Sequence, residues 1–200
     1  MRRIRDARLT GAAGIAAAAL WLISWLGEVF VEGDVGGLSW YADQILATLA
    51  LTGTAILMFG LAWTRSAGGG LAVRIVLTLA WAGWLLLAAG GICLLVAGSE
   101  DPGPVGLVFP IGGNLASLGG LVAGVVIAVR GEITGWRRYM PLLYGVVLAG
   151  AEFVQTSGDG NTPLTYGVEL VEYLSLLILA FSLRTARFRV AATPSTAVSV

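Results

Sequence analysis

Six long apolar runs, separated by short polar connections, set the pattern of this 200-residue chain. Their approximate bounds are residues 9–26, 44–63, 71–97, 110–129, 140–156 and 165–183. A membrane-crossing helix needs about 17–25 predominantly apolar residues, so each run is long enough to span a bilayer. The pattern predicts an all-α integral membrane protein, with a six-transmembrane-helix bundle over residues 1–189 and a disordered cytoplasmic tail at 190–200.

The composition agrees with a membrane protein. Hydrophobic residues make up 57% of the chain and charged residues 12%, whereas a soluble domain carries about 25% charged residues. The formal net charge is zero, and no block of basic residues indicates a nucleic-acid partner. We therefore expect a multi-pass protein of the cell membrane that is surrounded by membrane lipids.

The positions of arginine predict the topology. Every Arg lies before the first run, within 65–74, within 130–138 or after residue 183. The alternate connections contain no basic residue and most of the acidic ones; these are 27–43, 98–109 and 157–163. Because cytoplasmic connections are enriched in Lys and Arg, six spans with both termini cytoplasmic satisfy the pattern, and an odd number of spans would break it.

Missing residue types exclude several kinds of chemistry. The chain has no His, so it cannot build a Ser-His-Asp or Cys-His nucleophilic site, or a His-ligated haem, zinc or iron centre. It has no Lys, which excludes a Schiff base to retinal or pyridoxal phosphate. Cys93 is the single cysteine, so no disulfide forms within the chain. We expect no cofactor and no metal site.

Small residues recur every four positions along the fourth apolar run, at Gly112, Ala116, Gly120 and Gly124. Such a ridge lets neighbouring backbones approach closely, since lipid provides no hydrophobic drive for helix association. We predict that Gly120 lies in a helix contact too close for a large side chain. The same ridge is the surface through which a second copy of the chain or a partner subunit would bind.

Two carboxylates lie within the sixth apolar run. Glu169 and Glu172 are one turn apart on one helical face, flanked by Tyr166 and Tyr173. Glu172 is about 10 Å below the outer end of its helix, at a depth that no Arg can reach. An ionised side chain in hydrocarbon costs at least about 2.5–3.5 kcal/mol, so these acids should face the protein interior. There they either carry a proton or meet a cation supplied from outside.

Further polar and aromatic residues belong to the same outer half of the bundle. The complete candidate site comprises Glu169, Glu172, Glu152, Tyr166, Tyr173, Tyr144, Gln155, Asn114, Trp25 and Glu28. Carboxylates among aromatic rings suit a cationic guest, because ring faces attract positive charge. The alternative is a set of hydrated helix ends, with Trp and Tyr as ordinary interfacial residues.

Three functions remain open from the sequence. The first is binding or transport of a small cationic or lipophilic ligand in an outward-facing acidic and aromatic pocket. The second is a membrane-embedded enzyme acting on a lipid or isoprenoid, with a protonated Glu as general acid. The third is a non-catalytic membrane subunit. The first is favoured, because the enzyme hypothesis lacks an Asp-rich motif for binding diphosphate and magnesium.

Overall fold

The computed structural model describes residues 2–30, 37–63, 70–98, 103–130, 132–157 and 162–186. They contain six α-helices: α1 Arg2–Phe30, α2 Leu38–Trp63, α3 Leu71–Ala97, α4 Val108–Arg130, α5 Met140–Ser157 and α6 Pro163–Arg184. Short 3-10 helices, Gly103–Leu107 and Gly135–Tyr139, precede α4 and α5. The predicted tail at 190–200 and most of the polar connections lie outside the described residues.

Local sequence explains several helix boundaries. At the start of α6 the Thr162 side chain accepts a hydrogen bond from the Thr165 N–H at 3.2 Å, and Pro163 takes the first helical position. α3 ends at Gly98, whose left-handed φ of 62° favours glycine. α2 begins earlier than the predicted second run, because the Tyr41 N–H already donates to the Gly37 carbonyl at 3.0 Å.

The six helices form a closed ring. Each helix packs against its neighbours in sequence, and α6 packs back against α1. Neighbours are antiparallel, as the two ends of the α1–α6 contact show. Gly11, near the start of α1, lies against Arg184 at the end of α6, whereas the Trp25 indole N–H near the end of α1 donates to the Tyr166 carbonyl at 3.2 Å.

Alternating helix directions give the ring two chemically different ends. Every Arg in the described residues lies in the half that contains the starts of α1, α3 and α5, which we call the basic end. The opposite half, the acidic end, contains the described Asp and Glu residues other than Asp6 and Glu132. The charge separation expected from the sequence is therefore a separation between the two ends of the ring.

Close helix packing depends on glycines in α4 and its neighbours. A Cβ atom at Gly124 would lie 2.5 Å from Leu142 Cα, and one at Gly119 would lie 2.9 Å from Ala80 Cα. Gly120 is also buried, but a Cβ atom there would meet only Leu148, at an ordinary 3.8 Å. Of these three glycines, Gly119 and Gly124 therefore have too little room for a Cβ atom, against α3 and α5 of the same chain, whereas Gly120 has room for one.

The outer surface of the ring is apolar. Each helix exposes large hydrophobic side chains, such as Ile23, Ile56, Leu85, Leu118, Val146 and Ile178. Among the described residues, five helices are long and apolar enough to cross a membrane: α1 through its segment Asp6–Phe30, α3 through Val73–Ala97, and the whole of α2, α4 and α6. The fold is all-helical and compatible with a membrane helical bundle, which indicates a multi-pass membrane protein.

Candidate functional site

A cavity of about 410 Å³ lies inside the ring and extends from the acidic end to the level of the helix midpoints. All six helices contribute to its wall. The lining residues are Trp21, Leu51, Trp84, Leu87, Phe109, Pro110, Gly113, Asn114, Ala116, Leu148, Glu152, Gln155, Glu172 and Tyr173. A volume of this size is within the usual range of about 300–1,000 Å³ for small-molecule sites.

Two carboxylates face this cavity from adjacent helices, Glu152 from α5 and Glu172 from α6. Both are half-buried, and they are close enough for their charges to interact. Glu152 owes its position to Gly113 of α4, because a Cβ atom there would lie 2.7 Å from its Oε1. No basic side chain of the described residues lines the cavity. The site is therefore suited to a positively charged guest.

Aromatic rings form much of the remaining wall. Trp21 of α1 stacks on Tyr173 of α6, with ring centroids 5.1 Å apart and planes only 5° from parallel. Trp84, in the middle of α3, contributes a third ring and is 3% exposed. Its indole N–H is buried and has no hydrogen-bond partner in the described structure. A polar guest or water in the cavity can provide the acceptor that this donor lacks.

Asn114 and Gln155 occupy the mouth of the cavity, where both side chains are exposed. The Asn114 Nδ2 donates to the Pro110 carbonyl at 2.7 Å, which fixes its amide against α4. The Gln155 Nε2 donates to Glu169 Oε1 at 3.4 Å, a contact that joins α5 to α6. Both amides therefore combine a structural hydrogen bond with a position at the entrance.

Five of the predicted site residues do not line the cavity. Glu169 is half-buried one turn above Glu172, and its Oε2 has no hydrogen-bond partner in the described structure. Tyr144 is fully buried among the helices, and its hydroxyl also lacks a partner there. Trp25 and Tyr166 join α1 to α6 through their hydrogen bond. Glu28 is exposed near the end of α1.

The sequence reasoning did not assign Trp21, Trp84, Leu51, Leu87 or Phe109 to the site. Trp84 did carry a signal, because Trp normally occurs at membrane interfaces and this one lies at the middle of an apolar run. Nothing in the sequence distinguishes Leu51 and Leu87 from the other leucines of their helices. α2 and α3 are apolar around most of their circumference, so their inward faces are not marked by polar positions.

Within the described residues, no group of three or more His, Cys, Asp or Glu side chains is arranged to hold a metal ion. Comparisons with protein-family models, curated proteins and solved structures find no match to this chain. The function is therefore inferred from the chemistry of the cavity itself.

Proposed function

We propose that the protein binds or transports a small organic cation with an apolar body, and that the central cavity is its binding site. One observation carries this proposal: Glu152 and Glu172 share a cavity with Trp21, Trp84 and Tyr173, and no described basic residue lines it. The site thus offers negative charge and aromatic surface together.

Electrostatics explains why a cation fits. Half-buried carboxylates are costly when ionised, and two neighbouring carboxylates also repel each other. A cation between them reduces both penalties. Aromatic faces add an attraction of about 0.5–2 kcal/mol per ring when the cation lies over them. An anion would meet like charge and would gain nothing from the ring faces.

The proposed topology has six membrane spans, with the basic end in the cytoplasm and both termini on that side. It includes α5, although α5 has only 18 residues. Two contacts support this inclusion: α5 meets α4 near the basic end at Gly124 and Leu142, and near the acidic end at Gly113 and Glu152. A helix that runs beside α4 over this length shares its depth in the bilayer. With arginine facing the cytoplasm, the cavity opens to the outside.

Binding of benzyltrimethylammonium tests the proposal directly. This ion combines one aromatic ring with a quaternary nitrogen, and neopentylbenzene is its neutral isostere. Equilibrium dialysis of the purified protein in detergent, corrected with protein-free micelles, measures both affinities. We expect the protein to bind the cation at least about tenfold more tightly than the isostere, because only the cation interacts with the carboxylates.

Glu172→Gln keeps the shape of the side chain and removes its charge. A carboxylate about 4 Å from a cation gains up to about 4 kcal/mol at an effective dielectric constant of about 20. The variant should therefore weaken cation binding by at least about tenfold. Glu28→Gln is the matched control, since Glu28 lies at the same end but does not line the cavity. Equal cation binding by wild type and Glu172→Gln would refute the proposed site.

A further inference from the structure

Three arginines from different elements converge at the basic end of the ring. Arg8 of α1, Arg137 of the 3-10 helix before α5, and Arg184 of α6 line an open pocket of about 480 Å³ together with Thr185. Arg8 and Arg184 are exposed, and Arg137 is half-buried. Neither of the acids at this end, Asp6 and Glu132, lines the pocket.

Backbone packing brings two of the arginines to the same place, and one hydrogen bond orients the third. At Gly11 the backbones of α1 and α6 come so close that a Cβ atom would lie 2.5 Å from the Arg184 nitrogen. This approach brings Arg8, three residues earlier on α1, beside the end of α6. The Arg137 Nε donates to the Thr185 hydroxyl at 3.1 Å, which orients its guanidinium.

The neighbouring side chains indicate the membrane interface. Trp136 and Tyr139 are exposed on the same short 3-10 helix, and aromatic residues of this kind lie at the level of lipid head groups. Arg137 lies with its guanidinium carbon 5.3 Å from the Trp136 ring centroid. These aromatic residues support a position of the pocket at the level of the lipid phosphates.

We propose that Arg8, Arg137 and Arg184 form a binding site for a phosphate group, carried by a phospholipid head group or by a soluble phosphate compound. Three guanidinium groups repel one another, and a bound anion removes this repulsion. Arg presents a planar fork of donors that matches phosphate oxygens, with two hydrogen bonds per side chain. The site is separate from the acidic cavity, at the opposite end of the ring.

Native mass spectrometry of the purified protein can test this site with three probes: phosphatidylglycerol, phosphatidylcholine and inorganic phosphate. A basic residue near an anionic head group contributes about fivefold in affinity. Arg137→Gln and Arg184→Gln should each weaken phosphatidylglycerol binding by about that factor. Arg130→Gln is the matched control, because Arg130 lies at the same end but does not line the pocket. This variant should bind phosphatidylglycerol with an affinity near that of wild type.

The probes distinguish the two sources of phosphate. If the lipid binds and inorganic phosphate does not compete, the source is a head group; if inorganic phosphate binds and the pocket variants lose it, the source is soluble. If the glutamine variants fail to fold, Arg137→Lys provides a second test. It keeps the positive charge but loses the planar fork of donors, so it should still weaken binding. Pocket variants that bind all three probes as wild type does would overturn the proposal.

Discussion

A pair of glycines on α5 allows the packing of the ring to be tested with the same substitution at two positions. Gly145 is buried and Gly150 is exposed, and both lie well inside the helix. A Cβ atom at Gly145 would lie 2.7 Å from Leu121 Cα and 2.8 Å from the Gly120 carbonyl oxygen. A Cβ atom at Gly150 would meet nothing within 4 Å.

The two substitutions to Ala should change stability in opposite directions. Replacing Gly by Ala inside a helix gains up to about 1 kcal/mol from backbone propensity. At Gly145 the methyl group meets backbone atoms of α4, which cannot move aside as a flexible side chain can. Overpacking of this kind costs about 1–3 kcal/mol. Since the propensity gain is common to both variants, their difference in stability should be about 1–3 kcal/mol, with Gly150→Ala the more stable.

Thermal unfolding of the two variants in the same detergent measures this difference. For a chain of this size, 1 kcal/mol corresponds to about 2–4 °C in Tm, so we expect Gly145→Ala to unfold at least about 2 °C below Gly150→Ala. Equal melting temperatures would mean that α4 and α5 are not in close backbone contact, and would contradict the arrangement of the ring.

Three further predictions concern the cavity and the topology. Gly113→Ala should displace the Glu152 carboxylate and weaken benzyltrimethylammonium binding. Gly120→Ala on the same helix is the control and should leave binding unchanged, because its methyl group has room. Equal affinities of the two variants in equilibrium dialysis would contradict this role of Gly113. Tyr173→Phe should retain cation binding and Tyr173→Leu should weaken it by about threefold or more, because the ring provides the attraction; a loss in the Phe variant instead would assign the role to the hydroxyl. In a Cys93→Ser background, Gly103→Cys should react with a membrane-impermeant maleimide added outside, and Gly135→Cys should react only with reagent added inside. The reverse labelling would refute the proposed topology.

Much of the architecture can be predicted from the sequence, because it follows from the order of apolar and charged segments along the chain. Apolar runs identify the helices, and the alternation of Arg-containing and acidic connections identifies the two ends. Closure of the ring is different, because the contact between α1 and α6 joins segments at least 141 residues apart, the separation of Trp25 and Tyr166. It depends on Gly11 facing the backbone of α6, and nothing in an Ala- and Gly-rich stretch distinguishes that glycine from its neighbours.

Site residues can be predicted from the sequence only on helices whose inward face carries polar residues. Glu152 and Glu172 are rare charges in apolar helices, so their orientation toward the interior could be predicted. The face of α3 that carries Trp84 and Leu87 has no such mark. The positions of Glu169 and Glu28 in their helices correctly predict that both lie at the acidic end of the bundle. They do not predict how far each side chain is from the cavity, because the shape of the cavity depends on other helices.

Glycine contributes to this shape in two ways. Toward the basic end, Gly11 and Gly124 bring the backbones of neighbouring helices together. Toward the acidic end, Gly113 and Gly90 instead make room for side chains, the Glu152 carboxylate and the Phe109 ring, both of which line the cavity. The atoms that each glycine faces thus decide whether neighbouring helices pack backbone to backbone or whether a side chain that lines the cavity fits between them.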